Sequence, residues 1–144
     1  MDNKSILKVS DDVSWVGVLD HDIVTFDIVM ETKYGTTYNS YFIDAERKTV
    51  VETVKEKFKD EYFQKLERLT KLSEIEYIIC NHTEPDHSGS LKHLLEQAPD
   101  ATVVGSGQAL KYLSDIINKP FNSLKVKDGD IVDLGNKKIR VIGA

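Results

Sequence analysis

The sequence predicts an α/β fold, and three observations carry that prediction. The first fifty residues are short β-branched and aromatic runs separated by turn residues. After Thr53 the hydrophobic period lengthens to that of helices, and helical stretches alternate with short apolar strands. The last residues form two apolar runs around Gly135 and Asn136, a hairpin signal. A β-meander, then alternating helix and strand, then a hairpin, is an α/β or mixed sandwich order.

Each element follows from local chemistry. Ile6–Val9 and Ser14–Leu19 read as short strands, with Asp11 and Asp12 in the turn between them. Ile23–Thr32 is rich in Ile, Val, Thr and Phe and reads as a third strand, broken by Gly35. Tyr38–Ile43 and Thr49–Val51 are further strands around the polar loop Asp44–Lys48. Thr53 and Glu56 have the spacing of a capping box. Val54, Phe58, Tyr62, Leu66 and Leu69 then recur at steps of four, four, four and three, one face of a helix over Val54–Lys71. Glu76–Cys80 reads as a buried strand. Ser88–Gln97 reads as a helix with Leu91, Leu94, Leu95 and Ala98 inward. Thr102–Val104 is a strand, and Ser106–Asn118 a helix with Leu110, Leu113, Ile116 and Ile117 inward, stopped by Pro120. Ser123–Val126 follows as a strand, and Asp130–Leu134 and Lys137–Ile142 form the closing hairpin.

Composition excludes several classes. Hydrophobic residues make up 40% of the 144 and the net charge is −5, which argues against disorder. No apolar run approaches the ~20 residues that span a bilayer, and the N-terminus has no apolar core of a secretory signal. The single cysteine, Cys80, rules out an internal disulfide framework and fits a reducing cytoplasm. Acidic residues outnumber basic ones by 24 to 19, so the footprint of a nucleic-acid binder is missing. A cytoplasmic protein with neither nucleic acid nor membrane as partner is expected. The length suits one domain, but the chain stops inside an apolar run, the expected mark of a cut.

The densest polar cluster lies between the strand ending at Cys80 and the helix beginning at Ser88. His82, Glu84, Asp86 and His87 place four metal-competent side chains within six positions. Loops that follow strands in α/β folds commonly carry sites. In an extended stretch His82, Glu84 and Asp86 share a side, and Pro85 biases Glu84 away from the helical region. His87 then approaches from the turn into the helix. A mononuclear site needs three or four of these groups; two metals need all four and more from elsewhere. The competing reading is a polar turn with Asp86 as helix N-cap and histidines on the surface. Other candidates are weaker. His21 reads as a turn residue, His93 as solvent-facing, Cys80 as a small core residue, and Trp15 and Tyr38 as core or contact aromatics. Gly105 and Gly107 lack the lysine and spacing of a phosphate loop.

The run His82-Thr83-Glu84-Pro85-Asp86-His87-Ser88-Gly89-Ser90-Leu91 closely resembles the motif of flavodiiron proteins, also called A-type flavoproteins. Residues Trp15–Asp20, Tyr34–Ile43 and Asp130–Ala144 resemble further parts of that family. The resemblance implies an αββα sandwich of the metallo-β-lactamase type, of which residues 1–144 would be the N-terminal part, with the rest of that domain and a flavodoxin-like domain beyond it. It implies that His82 and Glu84 bind one iron and that Asp86 and His87 bind the other. Related zinc hydrolases carry a histidine where Glu84 stands, and a carboxylate there hardens the site toward iron. The resemblance further implies two non-haem irons and FMN in the intact protein, O2 reduced to water or NO to nitrous oxide, a rubredoxin-type electron donor and a head-to-tail homodimer. The 144-residue chain alone is expected to bind no FMN and to be inactive. A zinc-dependent hydrolase of the same fold and a diiron oxygen-sensing module without a flavin domain are the alternatives.

Overall fold

The computed structural model describes residues 5–20, 25–26, 30–31 and 36–143, with the backbone alone at 25–26, 30–31, 36 and 85–86. In chain order the strands begin with β1 (Leu7–Lys8), β2 (Val13–Trp15), β3 (Val18–Asp20), β4 (Thr25–Phe26), β5 (Met30–Glu31), β6 (Thr36–Tyr38), β7 (Tyr41–Ile43) and β8 (Lys48–Val51). Helix α1 (Lys59–Glu67), β9 (Ile75–Ile79), the helical turn α2 (Pro85–Ser88), α3 (Leu91–Gln97), β10 (Thr102–Gly105), α4 (Gly107–Ile117) and β11 (Asn122–Lys125) follow. The hairpin β12 (Ile131–Asp133) and β13 (Lys138–Arg140) comes last.

A seven-stranded sheet in the order β1-β2-β7-β8-β9-β10-β11 forms the centre. It is antiparallel from β1 to β8 and parallel from β8 to β11. The parallel strands need crossovers, which α1, α3 and α4 supply. Such strands are buried on both faces, and their alternation shows it. Ile78 and Val103 face one core with Tyr62, Leu66, Leu91 and Leu94. Tyr77, Ile79 and Val104 face the other, beneath Val132 and Leu134 of the closing hairpin. Helices thus cover one face and the hairpin the other.

Two predicted strands each divide at the same level. The run Ser14–Leu19 splits into β2 and β3 around Val16 and Gly17, and Tyr38–Ile43 splits into β6 and β7 around Asn39 and Ser40. The Val16 amide donates to Ser40 O at 2.9 Å across the break. Here both chains leave the large sheet for the separate β3–β6 pair. Gly17 permits the crossing, because a Cβ there would lie 2.2 Å from Tyr38 O.

Other expectations are corrected. The single strand Ile23–Thr32 is not one strand: β4 and β5 pair antiparallel with Thr25 opposite Glu31. Propensity alone does not distinguish a long strand from a short hairpin. The helix does not start at Val54. A 3-10 turn over Glu56–Phe58 precedes α1, and no side chain caps either. Thr53 cannot complete the capping box because its hydroxyl is engaged by His87 O. Ile116 and Leu69, expected inward, are exposed, whereas Leu113, Ile117, Leu91, Leu94, Leu95 and Ala98 are buried as expected. Trp15, Tyr38 and Cys80 are buried. His21 lies outside the described residues. Among those residues no helix is long and apolar enough to cross a membrane.

Candidate metal centre

The polar loop lies where β8 and β9, paired in parallel, both end. Val51 is opposite Ile79, and the Glu52 amide donates to Ile79 O at 2.8 Å. The exits of two parallel strands therefore stand side by side, the position where open α/β sheets place ligands. From β8 comes Glu52; from β9 come Cys80, Asn81 and His82.

Pro85 does not prolong an extended loop. It opens the helical turn α2, in which the amides of His87 and Ser88 both donate to Glu84 O at 2.9 Å. The reason is positional. Proline restricts the residue before it, but its own φ suits the first position of a helix, where no N–H is needed. The alternation that put Glu84 and Asp86 on one side is thereby overturned. Asp86 lies inside the turn rather than at its N-cap, and its side chain is outside the described residues.

The described donors approach in pairs. The rings of His82 and His87 stand with centroids 4.8 Å apart. His82 Nδ1 lies 3.9 Å from Glu84 Oε2. His87 Nδ1 lies 3.0 Å from Glu52 Oε2. Among the described residues no three His, Cys, Asp or Glu side chains form a ready metal cage. Two imidazoles and a carboxylate on one loop nevertheless suit a divalent transition metal, and the carboxylate shifts the preference toward a harder ion such as iron. Asn81, His82, Thr83 and Glu84 line an open cavity of about 260 Å³ together with Ser106 and Gln108. His93, expected to face solvent, is half-buried between Glu56, at 3.6 Å, and Glu96, at 4.0 Å.

Glu52 is the functional residue that the sequence reading misses. It carries φ 63°, a left-handed conformation that costs a non-glycine residue of order 1–3 kcal/mol. That conformation turns the chain so that its buried carboxylate accepts the amides of Asn81 and His82, the latter at 3.2 Å. Its carbonyl accepts the hydroxyls of Ser40 at 2.9 Å and Tyr62 at 3.2 Å. Burial pushes the Glu52 carboxyl above the ordinary carboxylate range, and the Asn81 amide and the nearby His87 pull it back only in part. The next two residues grip the same loop. Thr53 donates to His87 O through both its amide and its hydroxyl, and Val54 O accepts both the amide and the hydroxyl of Ser90. The only signal for Glu52 in the sequence is a carboxylate directly after an apolar strand.

A mixed sheet with helices on one face and a hairpin on the other, and a His- and carboxylate-bearing loop at the ends of its parallel strands, define a metallo-β-lactamase-like domain. Residues 36–144 match the family described as ODP family beta lactamase, and the chain belongs to that family. The flavo-diiron protein FprA2 of Clostridium acetobutylicum is 42% identical over 134 residues, covering 92% of this chain and 34% of that protein. A putative diflavin flavoprotein A 3 of Nostoc is 45% identical over 128 residues, covering 89% of this chain and 22% of the relative. Among solved structures, the rubredoxin oxygen:oxidoreductase of Desulfovibrio gigas superposes with a TM-score of 0.89 at 27% identity, over 94% of this chain and 34% of that one. The flavodiiron protein of Giardia intestinalis gives 0.88 at 30% identity, over 94% and 33%. The chain thus spans about a third or less of the length of these relatives.

Proposed function

We propose that this chain is the N-terminal part of the metal-bearing domain of a flavodiiron oxidoreductase. In the intact protein the activity would be reduction of O2 to water, of NO to nitrous oxide, or of both. The observation that carries this reading is the His82–His87 approach beside Glu84 at the paired ends of β8 and β9, in a chain so similar to a flavo-diiron protein. His82 and Glu84 would hold one iron, and Asp86 and His87 the other. Two irons so held would supply paired electrons and Lewis-acid polarisation to a diatomic substrate.

The residues of this chain have the task of fixing and orienting. The backbone of Asn81 and His82 is held by Glu52, and that of His87 by Thr53. The carboxylate of Glu84, in place of a further imidazole, favours the harder metal over zinc. FMN on the remainder of the intact protein would feed electrons, within a head-to-tail homodimer. The rubredoxin named for the Desulfovibrio gigas relative suggests the class of protein that reduces the flavin.

Metal analysis of the intact protein, purified and reduced without oxygen, tests this reading together with consumption of O2 or NO added afterwards. Iron near two per subunit with consumption of either gas is the expected result. Zinc in place of iron would overturn it in favour of a hydrolase. Iron without consumption of either gas would point to a sensing module.

A further inference from the structure

Glu52 has two oxygens with different tasks. Oε1 accepts the amides of Asn81 and His82 and is committed as an acceptor. Oε2 is sealed from solvent and accepts no hydrogen bond among the described residues. A buried carboxylate oxygen requires a donor. The group facing it is His87 Nδ1, at 3.0 Å. Since Oε1 already serves two N–H groups, the carboxylate cannot rotate to offer itself elsewhere without stranding the loop amides.

An imidazole has two distinct nitrogens. One that gives its Nδ1 proton to a carboxylate keeps Nε2 as a bare lone pair, the form that binds a metal. We propose that Glu52 is a positioning residue that holds His87 as the Nδ1–H tautomer and so makes Nε2 its ligating atom. This rests on the metal-centre reading for its purpose, not for its geometry. A single carboxylate then sets both the course of the loop at His82 and the coordinating atom of His87. The backbone conformation of Glu52, unfavourable for a side-chain-bearing residue, is what brings one carboxylate within reach of both.

The test is nuclear magnetic resonance of the full chain, metal-free and 15N-labelled, with long-range proton–nitrogen correlation of its four histidines. His87→Ala assigns the His87 signals. The wild-type chain is expected to show His87 protonated at Nδ1. Glu52→Gln sharpens the test. Its carbonyl oxygen must serve the two loop amides, which turns its NH2 toward Nδ1, so His87 is expected to change to the Nε2–H tautomer. Fe(II) titration, without oxygen, is expected to show 10–100-fold weaker binding in Glu52→Gln and no further loss when His87→Ala is added. Wild-type His87 protonated at Nε2 overturns the proposal, as does an unchanged tautomer in a folded Glu52→Gln chain. If Glu52→Gln does not fold, the wild-type tautomer decides alone. If the wild-type chain takes up no Fe(II), the donors of the intact protein are required for binding, and the tautomer results alone decide the proposal.

Discussion

Thr53 holds the carbonyl oxygen of His87 twice, with its amide and with its hydroxyl, each at 2.8 Å. The residue that the sequence marks as a helix cap instead ties the exit of β8 to the turn that follows β9. Thr53→Val removes the hydroxyl and keeps the volume and the amide. It is expected to cost about 1 kcal/mol, read as a lower urea midpoint at unchanged slope. It should also weaken metal binding, because the turn that carries His87 is then held by one bond rather than two.

Tyr62 gives a pH prediction. Its ring is fully buried, and its hydroxyl meets Ser40 Oγ at 2.7 Å and Glu52 O at 3.2 Å. Burial raises its pKa above the ordinary value of 10.0, with smaller upward pushes from Cys80 and Glu52 against the Ser40 hydrogen bond. The unfolded chain therefore releases this proton at a lower pH than the folded chain. The stability so contributed is complete below about pH 10 and declines as pH rises above it. Ultraviolet titration is expected to show the Tyr62 contribution only on alkaline unfolding, and that part of the signal should be absent in Tyr62→Phe.

Gly17→Ala tests the crossing between the two sheets. The new methyl would meet Tyr38 O at 2.2 Å and the Trp15 ring at 2.9 Å. Neither the backbone carbonyl nor the buried indole can retreat without disturbing β3 and β6. A loss of about 1–3 kcal/mol is expected for such overpacking, measured by thermal or urea unfolding. A neutral result would contradict the close approach.

The 144-residue chain by itself is expected to turn over neither O2 nor NO and to hold fewer than two irons. One loop offers His82, Glu84, Asp86 and His87, and a dinuclear centre needs donors from further elements. Elemental analysis of the chain after anaerobic iron loading checks this. About two irons per chain would overturn it.

Much of the fold was legible because burial imposes periods. Leu91, Leu94, Leu95 and Ala98 mark the inner face of α3, and the apolar strands β9 and β10 stand where short runs lie between helical patterns. Where the structure departs from the local signals, tertiary contacts decide what those signals leave open. Thr53 satisfies the capping-box spacing, yet its hydroxyl finds a carbonyl 34 residues away. Pro85 restricts Glu84, but its own φ also starts a helical turn. The positions of His82, Glu84 and His87 on one loop were visible in the sequence. Glu52 was not, since its role arises from the parallel pairing of β8 with β9.

Three consecutive residues, Glu52, Thr53 and Val54, bind the loop from Asn81 to Ser90 at both its ends and at its turn. Hydrogen exchange is expected to report this arrangement as a single cooperative unit. The amides of Asn81 and His82 on the carboxylate, of Thr53 on His87 O and of Ser90 on Val54 O should become exposed in one opening event, with a shared free energy. A metal bound by the loop would then slow the exchange of all four together, including those of Thr53 and Ser90, which carry no ligand.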